Sequence, residues 1–172
     1  MRKHNGMRPQ DIVILLKMVC LNDDNIYLSQ LASSLNLPIS EISESLNRSM
    51  IARLIDYNKK KVNKQNLMEF LEHGIRYVFP QAPGAIVKGI ATAHSHSFFK
   101  NKLISDKNYV WPDTQGEIVG LTIEPFYLKQ VEAVKSDPIL YEFLALVDVI
   151  RVGRVREVQV SLKQLNHLLL NE

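Results

Sequence analysis

Four lysines lie within six residues of this sequence. They are Lys59, Lys60, Lys61 and Lys64. Ammonium groups at this density are typical of a surface that binds the phosphates of a nucleic acid. The same run is also compatible with an ordinary solvated turn, so the lysines alone leave both interpretations open.

A helical segment rich in polar residues precedes the lysines. At roughly 100° per residue, the face of residues 39–55 that turns toward the core carries Ile39, Ile42, Leu46, Ser49 and Met50. The opposite, outward face carries Ser40, Glu41, Glu44, Asn47 and Arg48. Hydroxyl, amide and guanidinium groups can bond base edges or phosphates. The candidates for such contacts are Ser40, Ser43, Asn47 and Arg48.

Two glutamates, Glu41 and Glu44, lie on the same outward face, where they would repel phosphates. Glu44 precedes Arg48 by four residues, a spacing that stabilises a helix by about 0.2–0.5 kcal/mol. Glu41 lies in the first turn, where a negative charge interacts favourably with the helix dipole. A carboxylate can also accept a hydrogen bond from the cytosine amino group, which keeps Glu44 among the candidate DNA contacts. The remaining interpretation is a helix that faces a protein partner.

Two histidines are the strongest candidates for other chemistry. His94 and His96 would share one face of a strand, a spacing that metals can use, but no cysteine or acidic residue lies nearby in the sequence. We interpret them as loop histidines that form hydrogen bonds. Phosphate-binding loops, nucleophile elbows and zinc-protease motifs are absent from the sequence. We therefore predict a protein that is not an enzyme and has neither a cofactor nor a metal site.

A run of charged residues surrounds Gly153. Its members are Asp148, Arg151, Arg154, Arg156 and Glu157. Interleaved charges of both signs at a junction between helices are typical of an exposed surface with salt links. A dimer contact is the main alternative.

Apolar periodicity predicts four helices in the first half of the chain. They span residues 9–22, 27–36, 39–55 and 65–79, the last loosened near Gly74. The turn at Asn22, Asp23, Asp24 and Asn25 separates the first two. Asn36 lies where the chain must turn sharply, because asparagine adopts the left-handed conformation more readily than most residues. Short strands are predicted at 54–57 and 62–63, on either side of the lysines.

The helical period stops at residue 80, where proline and glycine cluster. We expect an ordered but irregular segment over residues 80–128, because its many aromatic side chains are unusual for a disordered chain. Short strands are predicted within it at 85–87 and 117–121.

The helical pattern resumes at Leu128. Asp137 and Pro138 are a capping residue and a first-turn residue for one helix, which Gly153 ends. A last helix spans residues 154–170. The fold class predicted is mainly α with a small β wing (α+β), in two domains, 1–79 and 80–172.

The composition is that of an ordinary globular protein, with 46% hydrophobic and 23% charged residues. Residues 1–76 carry 11 lysines and arginines against 8 acidic residues, whereas residues 77–172 carry 10 of each. Further cations that add to the first part are Arg2, Lys3, Arg8 and Arg53. The single cysteine, Cys20, excludes an intramolecular disulfide, and we expect it to be buried. No apolar stretch approaches the roughly 18–20 residues of a membrane span, which predicts a soluble cytoplasmic protein.

The segment QLASSLNLPISEISESLNRSMIARLI, residues 30–55, resembles the winged helix-turn-helix of bacterial transcription regulators such as the MarR family. The residues that carry the resemblance are Leu31, Ala32, Leu35, Asn36, Ile42, Leu46, Leu54 and Ile55. Ala32 lies where two helices cross closely, and Asn36 takes the turn position often held by glycine. The resemblance covers residues 9–79 and implies that the third helix enters the major groove of DNA.

The second half carries a further resemblance. Through the stretches KGIATAH, GLTIEPFY and DPILYEFLALVDVIRVGRVRE, residues 80–172 look like the C-terminal portion of some bacterial winged-helix proteins. Some of those proteins travel with nucleotidyltransferase-like toxin partners. That resemblance implies an antitoxin-like repressor and names no activity.

These observations lead to one hypothesis and one alternative. The hypothesis is a sequence-specific transcriptional regulator of the repressor type, which binds double-stranded DNA as a homodimer. Its C-terminal helical region, 80–172, would form the dimer, close over the irregular middle segment, or sense a partner or ligand. Its third helix would contact bases, and the lysine cluster would contact the backbone. The alternative is a winged-helix adaptor or antitoxin-like protein that holds a protein partner and binds DNA weakly or not at all.

Overall fold

The computed structural model describes residues 6–23 and 25–170. The fold is α+β, mainly helical with one small sheet. Within these residues eight α-helices occur in chain order: α1 Pro9–Leu21, α2 Leu28–Leu35, α3 Ile39–Ile51, α4 Lys64–His73, α5 Ile75–Val78, α6 Gln130–Val134, α7 Pro138–Val152 and α8 Val155–Leu170. Arg2, Lys3 and Asp24, for which the sequence predicts roles above, lie outside the described residues.

The sheet contains three short strands. They are β1 Ile86–Ala91, β2 Tyr109–Pro112 and β3 Ile118–Thr122. β1 pairs antiparallel with both others, and β2 and β3 pair in parallel, so each strand contacts the other two. Gly89 permits this close arrangement, because a Cβ there would lie 2.1 Å from the carbonyl oxygen of Trp111.

The predicted helices of the first half are confirmed, with ends shifted by a few residues. α2 and α3 are separated at Asn36, which is left-handed with a φ of 53°. Its backbone N–H reaches the carbonyl oxygens at the end of α2, as expected for a helix that ends in this conformation. The predicted loosening near Gly74 is also present, since α4 ends one residue before it and α5 begins one residue after it.

Three details of that half differ from the prediction. α3 ends at Ile51 rather than at residue 55, because Arg53 adopts a left-handed φ of 60°. Ile39 is 52% exposed instead of facing the core. The two predicted strands around the lysines are reduced to one bridge between Ile55 and Val62.

The segment 80–128 is more regular than expected, since it holds the whole sheet. The predicted strands at its two ends correspond to β1 and β3, whereas β2 was not predicted. β2 carries Trp111, which is fully buried, and its short apolar run has no period that would show a strand.

The last two helices begin and end as expected. The Asp137 carboxylate accepts the backbone N–H of Leu140, 3.0 Å away, at the start of α7. Gly153 ends that helix. A Cβ there would lie 2.5 Å from the carbonyl oxygen of Val149, so close approach rather than an unusual φ requires glycine.

Helices from the two halves share a continuous apolar core. α1 packs against α2, α3 and α7, and α4 packs against α7 and α8. α1 is buried along most of its length, with Ile12 to Leu16 fully inaccessible. In the described residues, no helix is both long and apolar enough to cross a membrane.

Candidate nucleic-acid interface

The lysine turn, residues 56–64, is held by a single carboxylate. Asp56 Oδ1 accepts the backbone N–H groups of Lys60 and Lys61, at 2.7 and 2.9 Å. The backbone of Asp56 also donates to the carbonyl of Lys61. Burial raises the pKa of Asp56, but these backbone N–H groups outweigh it and lower the pKa below its ordinary value. The turn therefore presents its lysine side chains from a fixed backbone.

One lysine of the turn lies against α3. Lys59 adopts a left-handed φ of 56°, and its ammonium group donates a hydrogen bond to the side-chain oxygen of Asn47. The two groups of candidate residues that the sequence separates by a dozen positions therefore form one surface. Lys60 and Lys61 are exposed beside this contact, and Lys64 is half-buried at the start of α4.

The candidate residues of α3 fall into two groups. Ser40 and Glu44 are exposed, and Ser43 and Asn47 are half-buried. These four side chains offer hydroxyl, carboxylate and amide groups, which can donate to or accept from base edges. They and the lysine turn make a surface that can bind phosphates at one side and bond bases at the other.

Arg48 is not part of that surface, and its predicted outward position is wrong. The residue is 7% exposed. Its guanidinium donates to both oxygens of Asp11, at 2.9 and 2.7 Å, and Asp11 is fully buried on α1. The hydrogen bond to Asp11 raises the pKa of Arg48 above its ordinary value. Arg48 therefore joins α1 to α3 inside the protein instead of facing a ligand.

Glu41 takes part in the same network. It accepts hydrogen bonds from Arg48, at 2.7 Å, and from Gln10, at 3.0 Å, and Arg8 lies 3.6 Å away. Burial raises the pKa of Glu41, but the bonds from Arg48 and Gln10 outweigh it and lower the pKa below its ordinary value. Arg48 thus pairs with Glu41 and Asp11 rather than with Glu44, which was its expected partner.

The two glutamates of α3 are therefore not equivalent. The charge of Glu41 is balanced within the protein by two guanidinium groups, so it repels an approaching polyanion less than its position in the sequence implies. Glu44 is exposed, and it takes part in none of the ion pairs of the described residues.

Asp11 has a role that its position in the sequence did not predict. It lies in the first turn of α1, as expected, where it accepts a hydrogen bond from the backbone N–H of Arg8. The two bonds that it accepts from Arg48 were not predicted. One sequence signal for the Asp11–Arg48 pair is an acidic residue at the start of an otherwise apolar helix. Another is that Arg48 lies near two small serines, Ser45 and Ser49, both of which are buried in the structure.

The histidines form contacts within the protein. His94 is 9% exposed, bonds Glu157 across 2.9 Å and packs on the Tyr109 ring. His96 accepts the backbone N–H of Phe98. His94 lies in the 3-10 turn Ala93–Ser95, and His96 lies between that turn and the next, Ser97–Phe99, so the two do not share a strand face. Within the described ranges, no group of three or more His, Cys, Asp or Glu side chains could hold a metal ion.

The charged run around Gly153 is only partly exposed, so its interpretation as a surface needs correction. Asp148 is 1% exposed and Arg151 is 8% exposed. Asp148 accepts hydrogen bonds from Thr92, Trp111 and Arg151. Arg154 and Arg156 are exposed, as expected for a solvated junction.

Cys20 is half-buried, and burial raises the pKa of its thiol to about 12.

Comparison with family models, with curated proteins and with solved structures finds no match to this chain. What the surface can do therefore follows from its own groups. It combines a turn whose four lysines form no ion pair within the described residues with polar side chains on an adjoining helix, a combination suited to a phosphate backbone and the groove beside it.

Proposed function

We propose that the protein is a transcriptional regulator of the repressor type that binds double-stranded DNA as a homodimer. In this proposal α2 and α3 form a helix-turn-helix, and the lysine turn forms the wing. The observation that carries the proposal is the contact between Lys59 and Asn47. It makes the cations and the polar side chains of α3 neighbours on one face, as a protein needs when it contacts phosphates and bases together.

The division of labour follows from the side chains. Lys59, Lys60, Lys61 and Lys64 would contact the DNA backbone and supply the electrostatic part of the affinity. Ser40, Ser43 and Asn47 would reach base edges, and Glu44 would accept from a cytosine amino group. Glu44 would reject sequences that place a phosphate or an acceptor at its position.

A dimer is proposed because one such surface carries few cations. A single module with about four phosphate contacts binds weakly at cellular salt, and two modules on one duplex multiply their affinities. α8 is the helix proposed to join the protomers. Its first residue, Val155, is 74% exposed, and Val158 and Leu162 are only half-buried.

The test is a titration of labelled random duplex DNA with the whole protein, followed by fluorescence anisotropy at several salt concentrations. The wild type is expected to bind more weakly as salt rises. The triple variant Lys59→Ala/Lys60→Ala/Lys61→Ala is expected to bind more weakly still, with a logarithmic salt slope shallower by about 0.9 for each phosphate that the variant no longer neutralises. The matched control removes three exposed lysines outside α8 and the proposed surface, Lys88, Lys100 and Lys107, and is expected to keep the wild-type slope.

Absence of binding at about 50 mM salt would refute the proposal. An equal effect of the two triple variants would refute the assignment of the surface. Analytical ultracentrifugation of the free protein and of its DNA complex tests the dimer, which Val155→Glu is expected to weaken.

A protein-binding adaptor is the second candidate, and two side chains of α3 favour it. Ile39 is 52% exposed and Glu44 is exposed, and one helix that exposes both an apolar and an acidic side chain is unusual for a surface that only contacts DNA. An adaptor predicts no salt-dependent DNA binding, together with a stable complex that Ile39→Ser weakens. A nucleotidyltransferase-like toxin is the partner class that the C-terminal resemblance implies.

A further inference from the structure

A groove lies beside the lysine turn, and its lining includes none of the α3 candidates Ser40, Ser43, Glu44 and Asn47. Its volume is about 930 Å³. It runs between the end of α1, the end of α3 and the segment that connects α3 to α4. Its floor is formed by Met18, Val19, Met50 and Val62, and its rim carries Arg53, Lys60, Lys61 and Lys64.

The floor of the groove is apolar and adaptable. Met18 and Met50 supply two unbranched thioether side chains, and Val19 and Val62 lie beside them. Methionine side chains repack easily around apolar groups of different shape, and surfaces rich in them accept varied apolar anchors. The floor is therefore suited to an apolar side chain inserted from outside.

The lining of the groove carries an excess of positive charge. None of the ion pairs within residues 6–23 and 25–170 includes Arg53, Lys60, Lys61 or Lys64. Two carboxylates, Asp23 and Asp56, also line the groove, so its four cations leave a net charge of 4 − 2 = +2. The groove therefore attracts anions.

The four cations are distributed rather than gathered at one point. Arg53 follows α3, Lys60 and Lys61 lie on the turn, and Lys64 begins α4. A molecule with one acidic group could pair with one of these stretches only. A chain with several carboxylates along its length could pair with all three while an apolar side chain enters the floor.

We infer that the groove is a docking site for an acidic peptide segment of a partner protein, anchored by an apolar side chain on the methionine floor. Because Lys60, Lys61 and Lys64 serve both this groove and the proposed DNA surface, a bound segment competes with DNA. The competition rests on the proposed function, whereas peptide binding does not. An acidic partner would thus release the regulator from its operator.

The test is a selection from a library of random peptides of about 12 residues, displayed and panned against the immobilised whole protein. The expected result is enrichment of peptides that combine several Asp or Glu with Leu, Phe, Trp or Met. The affinity of one enriched peptide is then measured by anisotropy for the wild type and for the single variants below.

Lys61→Glu and Met50→Glu are expected to weaken peptide binding by about tenfold or more, because they reverse a rim charge and put a charge on the floor. Lys163→Glu, on the exposed face of α8, makes the same change of charge away from the groove and is expected to keep wild-type binding. Lys59→Ala discriminates between the surfaces: Lys59 does not line the groove, so its removal is expected to weaken DNA binding and spare peptide binding.

Several results would overturn the inference. One is failure to enrich acidic peptides, and another is an equal loss for Lys61→Glu and Lys163→Glu. A third is binding of the apolar anion 8-anilinonaphthalene-1-sulfonate at one site without peptide enrichment, which would assign the groove to a small ligand. Peptide binding without any DNA binding would refute the proposed function and the competition only, and peptide binding that duplex DNA fails to displace would refute the competition alone.

Discussion

Each half of the protein buries one carboxylate with one guanidinium, and the two pairs are built differently. In the first half, Asp11 on α1 receives two hydrogen bonds from Arg48 on α3, which is 37 residues away. In the second half, Asp148 and Arg151 lie one turn apart on α7. Asp148 then accepts from the side chains of Trp111, on β2, and Thr92, which directly follows β1.

The difference shows two ways to satisfy a buried charge. Asp11 depends on one charged partner whose planar fork matches both carboxylate oxygens. Asp148 distributes its bonds over two neutral donors and one cation, while Arg151 also donates to the backbone carbonyl oxygens of Phe79 and Glu124. The first pair fixes one angle between two helices. The second joins α7, the sheet and the loops beside it.

The largest effect is expected from Arg48→Met. Removing the guanidinium leaves Asp11 fully buried without its charged partner, which costs about 3–5 kcal/mol of unfolding free energy. Urea denaturation followed by circular dichroism measures this loss. Arg53→Met removes an exposed arginine close by and is expected to cost less than about 0.5 kcal/mol.

The double variant Asp11→Leu/Arg48→Met tests whether the loss in Arg48→Met comes from the unpaired buried carboxylate. It removes both charges together, and most of the stability lost in Arg48→Met is expected to return. A double variant as unstable as the single one would show that the guanidinium acts through packing rather than through the buried carboxylate.

A smaller effect is expected in the second half from Thr92→Val. The change keeps the shape of the side chain but removes one neutral donor to Asp148, which costs about 1–3 kcal/mol. The midpoint of thermal unfolding measures it, and Thr114→Val on an exposed loop is the control. A loss as large as that of Arg48→Met would break the comparison, because it would show that the distributed network also depends on a single partner.

The smallest effect concerns two partly exposed carboxylates, Glu41 and Glu157. In both, burial raises the pKa but hydrogen bonds outweigh it and lower the pKa below the ordinary glutamate value of 4.5. The donors are Arg48 and Gln10 for Glu41, and the Arg154 backbone and His94 for Glu157. A lowered pKa in the folded state stabilises the protein above pH 4.5, and the contribution is lost as the pH falls through the lowered pKa.

Glu41→Gln and Glu157→Gln are each expected to lower stability at neutral pH by less than about 1 kcal/mol and to flatten its decline in acid. Urea denaturation at a series of pH values between about 7 and 3 checks both. Glu69→Gln, on the exposed side of α4, provides the reference curve. A steeper decline in either variant would contradict the direction of the shifts.

The local features of the fold were predictable because neighbouring residues determine them. Apolar spacing located the long helices, Asn36 marked the turn before α3, and Asp137 and Gly153 marked the two ends of α7. β2 was not predictable in this way, since its strand is stabilised by pairing with β1 and β3 and has little pattern of its own.

The candidate site was also predictable only where local sequence determines it. The lysine turn and the exposed residues of α3 followed from residue type and helical spacing. The position of Arg48 did not, because the helical period places it on the outward face of α3, and only a buried acid on another helix draws it inward.

By itself, the sequence determined where this chain forms its long helices, where α2 and α7 end, and which turn holds the cluster of lysines. These properties depend on contacts within a few residues of one another. The tertiary structure decided which charges are balanced inside the protein and which are left for a partner. Arg48 became buried and Glu41 became paired with it, whereas the lysines of the turn form no ion pair within the described part of the chain. The reason is that ion pairing in a folded chain depends on distance in space rather than along the sequence.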